Sequence, residues 1–461
     1  MRKENLFKEG KITKTILTLS LPLILSQIVN VLYNIVDRIF IGNMKDVGRD
    51  ALAGVGITFP IIIIVSAFAA LFGLGGAPLV GIKLGEKKVS DAKDIMMNSF
   101  IMLVITSLIL STVLLIFNRE LLYLFGITDE LMKYGLDYLN IYAIGILFVM
   151  ISIGMNFYIS AQGYTKEAAI FVLIGAILNI VLDPILIYSF NLGVKGAAIA
   201  TIFSQGISAI LILIFLMSEK SVLKFSFKDF KINAKIILSV LALGISPFIM
   251  QSTEALIQIV FNTQIVKYGG SNYVAYLNIM TIMLSLLQFM VLPVHGLTQG
   301  ASPLISYNFG SKNMKRVKES YKTLIIMSFI YSFSFYLIIF LFPKPLASIF
   351  GSDLETLKLA PKIFRIFFFG MAFFGIQLAS QASFMALGEA LVSLTNAILR
   401  KIVILIPLAY LLPLKMGIMG VFIAEPIADI LATIITFSMF IFLINKILNK
   451  KLLEDRSYLN E

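Results

Sequence analysis

GGAPL at 75–79 returns as GASPL at 300–304, 225 residues further along the chain. The same offset carries LGEKK at 84–88 to FGSKN at 309–313, and LFG at 124–126 to IFG at 349–351. Pro22 pairs with Pro247, Gly85 with Gly310, Lys87 with Lys312 and Gly163 with Gly388, all without a gap. Chance gives isolated matches. A collinear set at one offset means that the chain is built from two related halves.

The medium that those halves occupy follows from composition. Of 461 residues, 59% are hydrophobic and only 14% are charged, against about 25% charged in an ordinary soluble domain. A water-soluble fold cannot hide that much apolar surface, so the chain is expected to be an all-α integral membrane protein. Apolar stretches bounded by charge, Gly or Pro predict twelve spans. Six fall at 15–40, 51–78, 95–117, 134–160, 168–189 and 194–217. The other six fall at 236–266, 273–306, 320–342, 356–387, 391–414 and 418–445. Six spans per half is an even number, so the repeat is parallel, with a pseudo-two-fold axis along the membrane normal. The predicted organisation is an N-lobe over 1–217, a linker over 218–235 and a C-lobe over 236–461. In the linker, Lys224, Lys228, Lys231 and Lys235 recur at helical spacing with Phe227, Phe230 and Ala234 between them. That pattern predicts an amphipathic helix on the membrane surface.

Lys and Arg set the orientation. With the N-terminus inside, the inner segments carry 24 of the 38 basic residues and the outer segments 11, with Arg365, Arg400 and Lys401 in spans. Both termini are therefore expected in the cytoplasm of a bacterial cell, and the net charge of +12 faces anionic lipid rather than nucleic acid. The N-terminal run MRKENLFKEGKITK leads into the first span without a small-residue cleavage site. There is no cysteine and a single histidine, His295, which excludes thiolate and multi-histidine metal sites. An intramembrane enzyme lacks a nucleophile–base constellation, and no G-x-x-x-x-G-K-[ST] loop serves a nucleotide-driven pump.

Ionisable groups inside a bilayer are costly and mark function by default. Gln27, Asn30, Asn34 and Asp37 share one face of the first helix, and Gln251, Glu254, Gln258 and Asn262 share one face of the seventh. Asn179 and Asp183 lie one turn apart on the fifth helix, just before Pro184, and Thr201 lies on the sixth. All of these N-lobe groups come out in the outer half of the membrane. Two carboxylates, an amide oxygen and a hydroxyl suit a hard monovalent cation; the same two carboxylates, side by side, can instead hold a proton. Arg400 and Asp429 come out at similar depth as a structural ion pair. His295 follows Pro293 and can bond a freed carbonyl, contact cargo or relay a proton. The 20 Met and 38 Phe include candidates for an adaptable lining that suits amphipathic cations.

These features together resemble the MATE (multidrug and toxic compound extrusion) transporters over nearly the whole chain. The shared elements are Leu21-Pro22 at the start of helix 1, the stripe ending in Asp37, the paired GGAPL and GASPL segments, and Asn179-Asp183-Pro184. PVHGLTQGASPLISYNFG at 293–310 looks like the MepA-like bacterial branch. The resemblance implies a V-shaped pair of lobes and cation-coupled drug antiport. It places Asp37, Asn179, Asp183 and Thr201 at an N-lobe site for H+ or Na+, and Glu254 at a helix 7 acid. The C-lobe departs from one family pattern: FFGIQLASQASFMALG offers only Gln377 and Gln381 where some members have a carboxylate for sodium. The expected function is a secondary multidrug antiporter without cofactor or obligate protein partner. It exports organic cations held by Asn30, Asn34, Asn156 and Glu254. A flippase for a lipid-linked oligosaccharide is the alternative.

Overall fold

The computed structural model describes residues 6–45, 47–225, 231–349 and 354–458, without the side chains of Asn34, Ala255 and 454–458. Among the described residues, twelve helices are long and apolar enough to cross a membrane. The first six are α1 (Ile12–Gly42), α2 (Gly48–Gly85), α3 (Val89–Ile116), α4 (Asp129–Ala161), α5 (Thr165–Ser189) and α6 (Val194–Met217). The second six are α7 (Ala234–Tyr268), α8 (Gly270–Gly310), α9 (Met314–Leu341), α10 (Leu354–Ala386), α11 (Ala390–Met416) and α12 (Ile418–Leu453). Each predicted span lies on one of them. Several helices run beyond the apolar stretch, α2 to Gly85 and α8 to Gly310, because the helical ladder continues into polar sequence until a turn stops it.

The turns themselves carry the repeat. Lys87 and Lys312, 225 residues apart, both adopt a left-handed backbone, with φ of 62° and 60°. Gly163 and Gly388 do so as well, at 85° and 81°. A lysine rarely holds that conformation, so its recurrence at the same offset reflects one architecture used twice.

The described residues form two compact units, and their division falls elsewhere than at the linker. One unit is Leu21–Gln251; the other is Leu6–Ser20 together with the chain from Ser252 on. The cuts lie inside α1 and α7, close to the paired prolines Pro22 and Pro247. Two glycines at the repeat offset give the reason. A Cβ on Gly75 would overlap the carbonyl oxygen of Val240 and come within 2.9 Å of Gly244 Cα. The first half of α7 therefore packs directly on α2 in the first unit. In the second unit a Cβ on Gly300 would overlap Ser20 Oγ and sit 2.7 Å from Ser20 Cα, and Ser20 Oγ donates to Leu297 O at 3.3 Å. The first half of α1 thus packs on α8 as the first half of α7 packs on α2. Gly300→Ala is expected to destabilise by about 1–3 kcal/mol through overpacking against backbone. A thermal-unfolding midpoint of the detergent-purified protein equal to wild type would contradict this.

The described parts of the linker do not form the amphipathic helix that its lysine spacing predicts. Residues 231–233 and the described residues from 218 to 225 are non-helical, and Lys228, Phe227 and Phe230 lie outside the described residues. Backbone hydrogen bonding explains the difference. Gln162 Oε1 accepts from Val222 N at 2.8 Å, Leu223 N at 3.1 Å and Ser221 Oγ at 3.0 Å. Asn98 Oδ1 accepts from Asn233 N at 2.9 Å. Leu223 is fully buried and Phe225 packs edge-on against Phe100. Donors that a helix would use internally are taken by side chains of the first unit, and periodicity cannot foresee that competition.

Candidate functional site: two buried polar clusters

Asp37 lies near the end of α1, and Asn179 and Asp183 occupy one face of α5 one turn apart. After Pro184 the chain winds as a π-helix over Ile185–Ser189, a distortion that often accompanies functional sites. Asp183 is fully buried, and its Oδ1 accepts from Asn179 Nδ2 at 3.2 Å. The same Nδ2 lies 3.5 Å from Thr201 Oγ1 on α6. Asp37 is buried too and repels Asp183 electrostatically, with Arg38 the cation nearest in sequence that offsets it. The Arg38 guanidinium stands 3.9 Å over the Phe59 ring. The four residues expected to converge, Asp37, Asn179, Asp183 and Thr201, are therefore neighbours in the first unit.

Sequence reasoning missed a fifth member. Tyr138 of α4 lies close to Thr201 and feels the charge of Asp37, and it stacks on Tyr142 with centroids 6.3 Å apart. An aromatic pair four residues apart is ordinary in a membrane helix, so no signal in the sequence distinguished it. Three buried oxygens of this cluster, Asp37 Oδ1, Asp183 Oδ2 and Asn179 Oδ1, have no hydrogen-bond partner among the described residues. Leaving such acceptors bare costs about 1–3 kcal/mol each. A proton or a small cation would satisfy them. Among the described residues no three His, Cys, Asp or Glu side chains gather as a metal site. A sodium ion here would thus rest on two carboxylates with amide and hydroxyl oxygens.

The second unit has its own cluster, larger than the ion pair expected from the sequence. Arg400 Nε donates to Asp429 Oδ1 at 2.7 Å, and Arg400 Nη2 donates to Glu425 Oε1 at 3.3 Å. The guanidinium also lies 4.5 Å from the Phe374 ring centroid. Its neighbour Lys401 pairs with Glu254 of α7. His295 of α8 interacts electrostatically with both Glu254 and Lys401. Arg400 and Lys401 sit on a π-helical stretch, Leu399–Leu405. Glu425 went unremarked in the sequence, and Lys401 was noted only as a basic residue inside a span. The signal was there: Glu425 and Asp429 have the i, i+4 spacing that singled out Asn179 and Asp183. On α10, Gln377 Nε2 donates to Gln381 Oε1 at 3.0 Å, so the two amides expected there form a pair.

The MatE family matches residues 22–185 and 246–411, most of both repeats, including Asp37, Asn179 and Asp183 of the first cluster and Glu254, Arg400 and Lys401 of the second. The chain belongs to the MATE family of membrane transporters. It is 27% identical over 445 residues to the multidrug export protein MepA of Staphylococcus haemolyticus, covering 95% of this chain and 97% of that one. It is 27% identical over 443 residues to MepA of Staphylococcus aureus strain MRSA252, covering 95% and 96%. The crystal structure of a MATE protein in its bent conformation superposes with a TM-score of 0.91 at 23% identity, covering 98% of this chain and 99% of that chain. A MATE protein moves solutes across membranes and is not an enzyme, as the sequence led one to expect.

The proposed cargo residues divide between the two units. Asn30 is exposed in the first unit, and Asn156 there is half-buried with its Oδ1 unpartnered. The side chain of Asn34 lies outside the described residues. Glu254 belongs to the second unit's cluster, where a lysine in the following helices claims its carboxylate. The ammonium of Lys401, invisible to a reading of one helix at a time, is its partner in this structure.

Proposed function

We propose that this MATE transporter is a secondary antiporter that exports amphipathic organic cations in exchange for inward H+ or Na+. It would lie in the bacterial cytoplasmic membrane with both termini in the cytoplasm, the orientation that the Lys and Arg excess favours. The observation that carries the reading is the pair of buried carboxylates, Asp37 and Asp183, with unpartnered oxygens in the first unit. A group of that kind binds a cation in one conformation and releases it in another, and coupling requires such a difference between states. The full-length likeness to MepA, a multidrug export protein, supports the cargo class. Three carboxylates against two cations in the second unit's cluster favour positively charged cargo over an anionic lipid-linked sugar.

Inverted membrane vesicles from pump-deficient cells test the whole reading. Respiration acidifies their lumen and quenches acridine orange. Adding ethidium should restore fluorescence in vesicles that hold the protein, through H+ efflux, or should do so only with a sodium gradient if Na+ couples. No response to ethidium or tetraphenylphosphonium under either gradient would sink the proposal.

A further inference from the structure

The contact between Lys401 and Glu254 is unequal. The lysine side chain is 6% exposed, whereas the glutamate side chain is 57% exposed. A buried ammonium reaches outward to a carboxylate that other cations can approach. Stability does not require this arrangement, since a buried charge pair is commonly neutral or worse than apolar packing of the same shape.

Its surroundings point to another use. Arg400 is committed to Asp429 and Glu425, so Lys401 is the cation that faces Glu254. In an ordinary helix, consecutive residues project about 100° apart. The π-helical winding over Leu399–Leu405 is the local feature that accompanies two consecutive basic residues both buried among acids. Three carboxyl groups, those of Glu254, Glu425 and Asp429, face two basic side chains, Arg400 and Lys401. The cluster therefore has an appetite for one more cation, and Lys401 sets its strength.

We propose that Lys401 is a tethered counter-ion that occupies Glu254 between transport events and is displaced by the ammonium or phosphonium centre of the cargo. This rests on the reading of the protein as an exporter of organic cations. A site that binds cargo too tightly cannot release it, and an internal competitor lowers affinity without removing the carboxylate that gives charge selectivity. The lysine acts on cargo through Glu254 and is a positioning residue.

Ethidium binding to the detergent-purified protein, read by fluorescence enhancement, decides the matter. Lys401→Met keeps the stem and removes the charge. Its Kd should fall roughly tenfold, the order expected when one neighbouring unit charge leaves a partly wetted site. Glu254→Gln should weaken binding, and adding Lys401→Met to it should change nothing further. Equal Kd for wild type and Lys401→Met would overturn the proposal and leave the transporter reading intact. So would a lowered unfolding temperature with weaker binding, the signature of a pair that only shields Glu254 from lipid. Binding by neither protein would sink both readings. Binding by Lys401→Met alone would support the counter-ion.

Discussion

Asp183→Asn is expected to abolish coupled ethidium efflux from preloaded, pump-deficient cells while leaving the amount of protein in the membrane unchanged. The substitution preserves the shape of the side chain and exchanges one oxygen for an amide. In the structure that carboxylate is fully buried, held by Asn179 through one oxygen and bare at the other. The bare oxygen is where a proton or sodium ion would sit. An amide cannot take up either with comparable affinity, so the cation-loaded state disappears while the fold does not depend on it. Removing a buried carboxylate that repels Asp37 should if anything raise the unfolding temperature slightly. Asp37→Asn should also lose coupling, and the double variant should be no worse than either single one, because two groups that act as a unit do not add. Efflux that survives Asp183→Asn at wild-type rate would keep the transporter and remove the first-unit cluster from its mechanism.

Arg400→Met carries the second large effect, on stability. The guanidinium is buried between Asp429 and Glu425, and its removal strands two carboxylates without a cation in contact. Breaking a buried pair in this way costs about 3–5 kcal/mol. Combining Arg400→Met with Glu425→Gln and Asp429→Asn should recover most of that loss, because neutral groups no longer need the cation. Thermal unfolding in detergent, followed by loss of the monodisperse peak on size exclusion, measures both. A fully stable Arg400→Met would show that water already screens the two acids.

Much of the first-unit site was legible because its signal is local. Asn179, Asp183 and Pro184 fall within one turn and a half of a single helix. Polar residues in a bilayer are rare enough to be noticed singly. Asp37 and Thr201 followed from depth, which sequence fixes once the spans are known. Tyr138 did not follow, since nothing marks one tyrosine among seventeen as the one that lies beside Thr201. The second-unit cluster was half legible for the same reason. Arg400 and Asp429 were paired by depth alone, whereas Lys401 and Glu254 are 147 residues apart on helices whose rotation depth does not determine.

Hydropathy and the 225-residue offset determined twelve helices in two related halves, because burial in lipid is a property of each segment and needs no partner. They also located the acids that a membrane would not hold without purpose. Tertiary structure alone decided where the compact units divide, that the described ends of the linker lie unwound against Gln162 and Asn98, and that Lys401 claims Glu254. Each of those outcomes is a competition between distant groups for the same hydrogen bond, charge or close approach, and only the packed chain brings the competitors within reach of one another.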